Sequence, residues 1–202
     1  MIDTLMASLS PPDFWDNHNL KHDHYFVVTM HRPANVDSVG AFAEILKAIG
    51  QDTQGLPIVF PVHPRTTKTF KGIIDLPPNF ILVEPQPYLQ FNYLVKHAKT
   101  VITDSGGITE EATVMGVPCL TLRNNTKRPE TVGEGTNELI GTNLAALGPA
   151  LERIFNGAWK KGSIPNLWDG MASERIVDQL EELLKKSQHS RGANAPSNQL
   201  CS

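Results

Sequence analysis

Apolar residues in this chain follow two rhythms. Short, mainly apolar runs at 25–30, 58–62, 80–83, 100–103 and 118–122 read as buried strands, with a sixth, shorter one near 138–140. Between them apolar residues recur at helical spacing. In 38–51 they are Val39, Phe42, Ile45, Leu46 and Ile49, and Ser38 stands where an N-cap belongs. Further helices are predicted at 66–74, at 88–97 with Leu89, Tyr93 and Leu94 on one face, and at 107–115; two more, 144–155 and 172–186, close the pattern.

Strict strand–helix alternation with continuously apolar strands predicts an α/β, Rossmann-like three-layer fold, a parallel sheet covered by helices on both faces. At 202 residues one such domain is expected, over residues 23–186. Residues 1–22 read as a helix at 2–9 followed by a Pro-Pro linker, and the polar stretch 187–202 reads as a fraying tail. Ligands of such sheets bind at the carboxyl ends of the strands. His31, His63, Glu84 and Ser105 all follow strands there.

Composition narrows the function. A 40% apolar content supports a core, and a net charge of −3 without a basic run gives nucleic acid no footing. No stretch reaches the ~18 apolar residues of a membrane span, and no charged and apolar leader opens the chain. Cys119 and Cys201 are far apart, one in an apolar strand and one in a polar tail, so neither a disulfide nor a zinc site is expected and a cytoplasmic location fits. The seven histidines are scattered, with His18, His22 and His24 in the polar linker, and no metal spacing or Ser-His-Asp pattern stands out.

The segment Asp104-Ser105-Gly106-Gly107 joins a buried strand to a helix. Such a junction presents unpaired backbone N–H groups at a positive helix end, where phosphates bind. Glycines there let a diphosphate approach the backbone. Glu111, about one turn into the helix, can accept from a pair of ribose hydroxyls. A plain junction with Ser105 as N-cap would look the same at this level. His31 could donate to phosphate, and Arg32 offers a bidentate fork for an anion. His63 repeats the arrangement after the second strand but also suits a hydrogen-bonded turn. Phe91 could stack on a base or simply pack its helix. The loop 126–136 gathers charges and glycines at the same edge, with Arg128 stiffened by the proline that follows.

Together T-M-H-R-P-A-N (29–35), P-V-H-P (61–64), T-D-S-G-G-I-T-E-E-A (103–112), G-V-P (116–118), R-P-E-T (128–131), E-G-T-N (134–137) and L-W-D-G (167–170) resemble the carboxy-terminal domain of the non-hydrolysing UDP-N-acetylglucosamine 2-epimerases. The resemblance implies one half of a glycosyltransferase-B-type, two-domain enzyme of cell-envelope polysaccharide biosynthesis. The opening I-D-T-L (2–5) resembles the region just after the family's amino-terminal domain. The family inverts C2 of UDP-N-acetylglucosamine without a cofactor, eliminating UDP to 2-acetamidoglucal and adding it back. The resemblance implies UDP or a UDP-N-acetylhexosamine as ligand, with Ser105, Gly106 and Gly107 on the phosphates, Glu111 on the ribose and Phe91 by the uracil. Arg128 and His31 would neutralise or protonate the departing diphosphate, His31 being the catalytic residue. Arg32 and His63 match a second, regulatory UDP-sugar site, although Pro33-Ala34 stand where the family often has Arg-Glu. The carboxylates that act at C2 belong to the amino-terminal domain, so the isolated chain is expected to be inactive and to need that domain, or a homodimer, as partner. Two other readings remain: a stand-alone nucleotide-binding or interaction module, and a fragment of a UDP-sugar hydrolase or glycosyltransferase of the same fold. The E-G-T-N loop favours the non-hydrolysing branch over the last.

Overall fold

The computed structural model describes residues 5, 9–70, 72 and 75–192. Most of the helix expected at 2–9 therefore lies outside the described residues, as does the end of the one expected at 66–74. The elements run β1 (Phe26–Thr29), α1 (Pro33–Val36), α2 (Val39–Asp52), β2 (Ile58–Pro61), α3 (Pro64–Phe70), β3 (Phe80–Val83), α4 (Tyr88–His97) and β4 (Thr100–Thr103). They continue through α5 (Gly106–Val114), β5 (Cys119–Thr121), α6 (Pro129–Gly133), β6 (Asn137–Leu139), a 3-10 turn (Leu144–Ala146), α7 (Leu147–Phe155) and α8 (Ala172–Gly192). They fall into two compact units, drawn from Ala7–Pro165 and from Met1–Met6 with Asn166–Ser202.

In the larger unit six strands form one parallel sheet in the order β3-β2-β1-β4-β5-β6. The inner strands β1, β2, β4 and β5 are buried on both faces, as their apolar character requires, while the edge strand β3 leaves Leu82 exposed. Phe26, Val28 and Phe60 face a core completed by Phe42, Leu46 and Ile49 of α2 and by Leu147, Leu151 and Ile154 of α7. Tyr25, Val27, Val59, Val101 and Cys119 face the other core with Leu94 and Val95 of α4 and Ala112 of α5. Burial pushes the Cys119 thiol up to about 12, so it packs as a small apolar group.

Ser38 caps α2 as its position suggests, accepting from Ala41 N at 3.4 Å. Three features differ from the sequence pattern. A short helix, α1, begins at Pro33, whose fixed φ suits a first helical position. The stretch after Pro11-Pro12, expected as a linker, packs Phe14, Trp15 and Leu20 against the second core, with the Trp15 ring 5.4 Å from Tyr25 and 5.2 Å from Tyr93. The last helix, in the smaller unit, runs past Lys186 to Gly192, because no proline or glycine interrupts it earlier. Just before it Asp169 accepts from Met171 N at 3.1 Å in a turn, and Ile176, Val177, Leu180, Leu183 and Leu184 of α8 are exposed. Among the described residues no helix is long and apolar enough to cross a membrane.

Candidate functional site

The strand order reverses between β1 and β4. Their register, Phe26↔Thr100 to Thr29↔Thr103, brings both carboxyl ends to one point. A crevice opens where connections leave such a sheet in opposite directions. Thr29 and Thr103 join hydroxyls there at 2.7 Å, and Ser105 N donates to Thr103 Oγ1 at 3.0 Å.

Asp104 organises the crevice. It is fully buried and accepts from His31 N at 3.2 Å, Arg32 N at 2.9 Å and Asn35 Nδ2 at 3.1 Å. His31 Nδ1 lies 3.1 Å from the same carboxylate, which fixes the ring and leaves Nε2 as the outer nitrogen. Arg32 folds back, its Nε donating to Asp104 O at 2.8 Å. Thr66 of α3 ties down Met30 O at 3.0 Å, so the turn carrying His31 is braced from both sides.

His31, His63, Phe91 and Ser105 line one cleft of about 200 Å³ with Pro85, Gln86 and Ile108. The His31 and His63 rings are 6.0 Å apart. Phe91 reaches this cleft and also packs against the second core. Ser105 occupies the N-cap position of α5 but its side chain makes no capping hydrogen bond, so the first N–H groups of the helix have no side-chain cap from it. Gly106 and Gly107 form that first turn. Glu84 is not part of this grouping: β3 is an edge strand, and Glu84 lines a separate groove with Val62, Lys68 and Phe70.

Glu111 stands further along α5, only 5% exposed. Burial raises its carboxyl above the usual range, while hydrogen bonds from the Tyr88 and Asn92 side chains of α4 oppose that rise. Asn92 Nδ2 in turn donates to Tyr88 O at 3.0 Å. Tyr88 is pushed up to about 12, by desolvation first and by the Glu111 charge next. Arg128, at the start of α6, ion-pairs through Nε with Glu110 of α5, and its Nη1 donates to Lys127 O at 3.3 Å. Among the described residues no three His, Cys, Asp or Glu side chains are grouped to hold a metal ion.

Asp104, Tyr88 and Asn92 carry no role in the sequence reading. Asp104 had a signal, an acid at the buried end of a strand just before a glycine turn. Tyr88 and Asn92 had none, since their meeting with Glu111 depends on α4 packing against α5.

The arrangement pairs a fixed imidazole with a glycine-lined helix start and a buried carboxylate one turn on, a set suited to an anionic ligand bearing hydroxyls. A family model described as UDP-N-acetylglucosamine 2-epimerase matches residues 1–181. Similar curated proteins include the UDP-N-acetylglucosamine 2-epimerase of Methanocaldococcus jannaschii, 42% identical over 77% of this chain and 44% of that protein, and that of Escherichia coli strain K12, 37% identical over 77% and 43%. The chain thus spans less than half the length of these relatives. Among solved structures, the M. jannaschii enzyme in complex with UDP-GlcNAc and UDP superposes with a TM-score of 0.71 at 34% identity, covering 88% of this chain and 52% of that one. The Neisseria meningitidis enzyme bound to UDP-GlcNAc gives a TM-score of 0.69 at 30% identity, over 82% and 46%.

Proposed function

Because the chain belongs to the UDP-N-acetylglucosamine 2-epimerase family, we propose that residues 23–186 are the UDP-binding half of such an epimerase, converting UDP-N-acetylglucosamine to UDP-N-acetylmannosamine. The observation that carries this reading is the convergence of His31, His63, Phe91 and Ser105 on one cleft at the strand-order reversal. Inverting C2 by elimination requires the C2 proton to leave as the C1–O bond breaks and the electron pair departs with UDP. The C2 proton is not activated by a carbonyl, so stabilising the leaving diphosphate is a large part of the barrier. This half meets that demand. Ser105, Gly106 and Gly107 hold the phosphates, Phe91 packs by the uracil, and Glu111 takes the ribose hydroxyls. His31, held by Asp104, gives a proton or hydrogen bond to the departing diphosphate, and Arg128, ion-paired with Glu110, stands at the same edge, where a diphosphate would compete for it.

Arg32 and His63 belong to a second UDP-sugar site in this reading. His63 lies across from His31, so the two ligands would share a wall. The acid and base at C2 come from a second domain, and the chain alone binds UDP without turnover.

Calorimetry tests this. UDP should bind the 202-residue chain more tightly than uridine, and the chain should not interconvert the two UDP-sugars. Equal affinity for UDP and uridine would refute the phosphate cradle. Conversion by the purified chain alone would place the C2 chemistry within these residues.

A further inference from the structure

β5 leads through Leu122 into Arg123 at the same edge of the sheet as His31 and Ser105. The loop behind it holds this arginine. Arg123 N donates to Thr121 O at 2.9 Å, Thr142 N donates to Asn124 Oδ1 at 3.1 Å, and Arg123 Nη2 donates to Asn125 Oδ1 at 3.1 Å. The other terminal nitrogen, Nη1, lies 3.7 Å from where a Cβ on Gly106 would stand. The Nη1 end of the guanidinium group therefore lies beside Gly106, in the first turn of α5. Arg32 approaches the same turn from the β1 side through its bond to Asp104 O.

The two guanidinium groups feel each other. Arg123 is held below its ordinary range by desolvation first and by Arg32 next, with Asp104 pulling the other way. Asp104 is the nearby carboxylate that pulls on Arg123, and it already accepts from His31 N, Arg32 N and Asn35 Nδ2. Two fixed cations around one committed carboxylate leave positive charge in excess at this turn. Arg128, the arginine that the sequence points to, is engaged with Glu110.

We propose that Arg123 is a diphosphate-binding residue of the cleft, pairing its fork with phosphate oxygens held over the Ser105–Gly107 turn. This rests on the UDP reading above and adds to it a charged residue that favours a diphosphate over a nucleoside. A planar fork fixed by its own loop loses little freedom when it binds, and its parallel donors match a pair of phosphate oxygens.

The test is calorimetry of UDP, UMP and uridine with the full chain and with Arg123→Gln and Arg123→Lys. Gln retains a polar donor but has no charge; Lys retains the charge but loses the fork. Arg123→Gln should weaken UDP about tenfold or more, the loss of one charge-assisted contact, and leave uridine nearly unchanged. UMP should suffer less than UDP, and Arg123→Lys should recover part of the UDP affinity. The UDP loss should shrink as salt is raised, which a purely structural role for Arg123 would not produce. An unchanged UDP affinity in Arg123→Gln, or equal losses for UDP and uridine, would overturn the proposal. If the unaltered chain fails to bind UDP, the site reading fails and this inference with it. Normal binding by the unaltered chain with an indifferent Arg123→Gln sinks the inference alone.

Discussion

Glu111 meets two opposed demands. Its carboxyl is buried and raised above the ordinary range, so the folded protein holds that proton more tightly than the unfolded chain does. Stability from this group therefore falls as pH climbs from the ordinary carboxylate range through the raised value. Glu111→Gln should leave stability at neutral pH equal or higher and remove that part of its pH dependence. The same change should weaken UDP by roughly 1–2 kcal/mol and barely affect pyrophosphate, which has no ribose. Thermal melts across pH and paired titrations check both halves, and equal losses for the two ligands would make Glu111 structural. Single residues were legible where the chain itself marks them. His31, His63 and Ser105 follow strands, and Gly106-Gly107 open a helix. Tyr88 and Asn92 meet Glu111, and Arg123 meets the start of α5, only through packing between elements, which no local pattern records.

Among the elements, strand and helix identity followed from the apolar rhythm, and most boundaries moved by a residue or two. The less legible parts are loops fixed by close approach. Gly135 is one such point: a Cβ there would lie 2.5 Å from the Thr113 side chain of α5 and 2.7 Å from Thr131 O. Gly162, at φ +63, presses against Gly135 from the other side, with 2.7 Å from its missing Cβ to Gly135 C. Ser163 N donates to Glu134 O at 2.7 Å and Trp159 Nε1 to Thr136 O at 2.9 Å, so two loops and α5 are locked together. In the sequence E-G-T-N served only as a family marker; here its glycine is a spacing requirement. Gly135→Ala should lower stability by about 1–3 kcal/mol, the cost of overpacking against backbone that cannot give way. An unchanged midpoint in denaturant would show that the loops relax freely.

For the whole molecule, the sheet is two three-stranded halves, β3-β2-β1 and β4-β5-β6, joined along one pair. The pair forms late along the chain, since Thr29 meets Thr103 across 74 positions. A ligand held between the turn after β1 and the turn after β4 touches both halves at once. It would act as a splint across the joint, adding to the opening of that seam the free energy of its own release. Hydrogen exchange should report this. UDP should slow the amides of residues 100–104 more than those of the edge strands β3 and β6. Uniform slowing would mean that the ligand steadies the domain as a block. Where the protection gathers at the seam, the crevice is also a clasp, and an empty one leaves the two halves of the sheet freer to part.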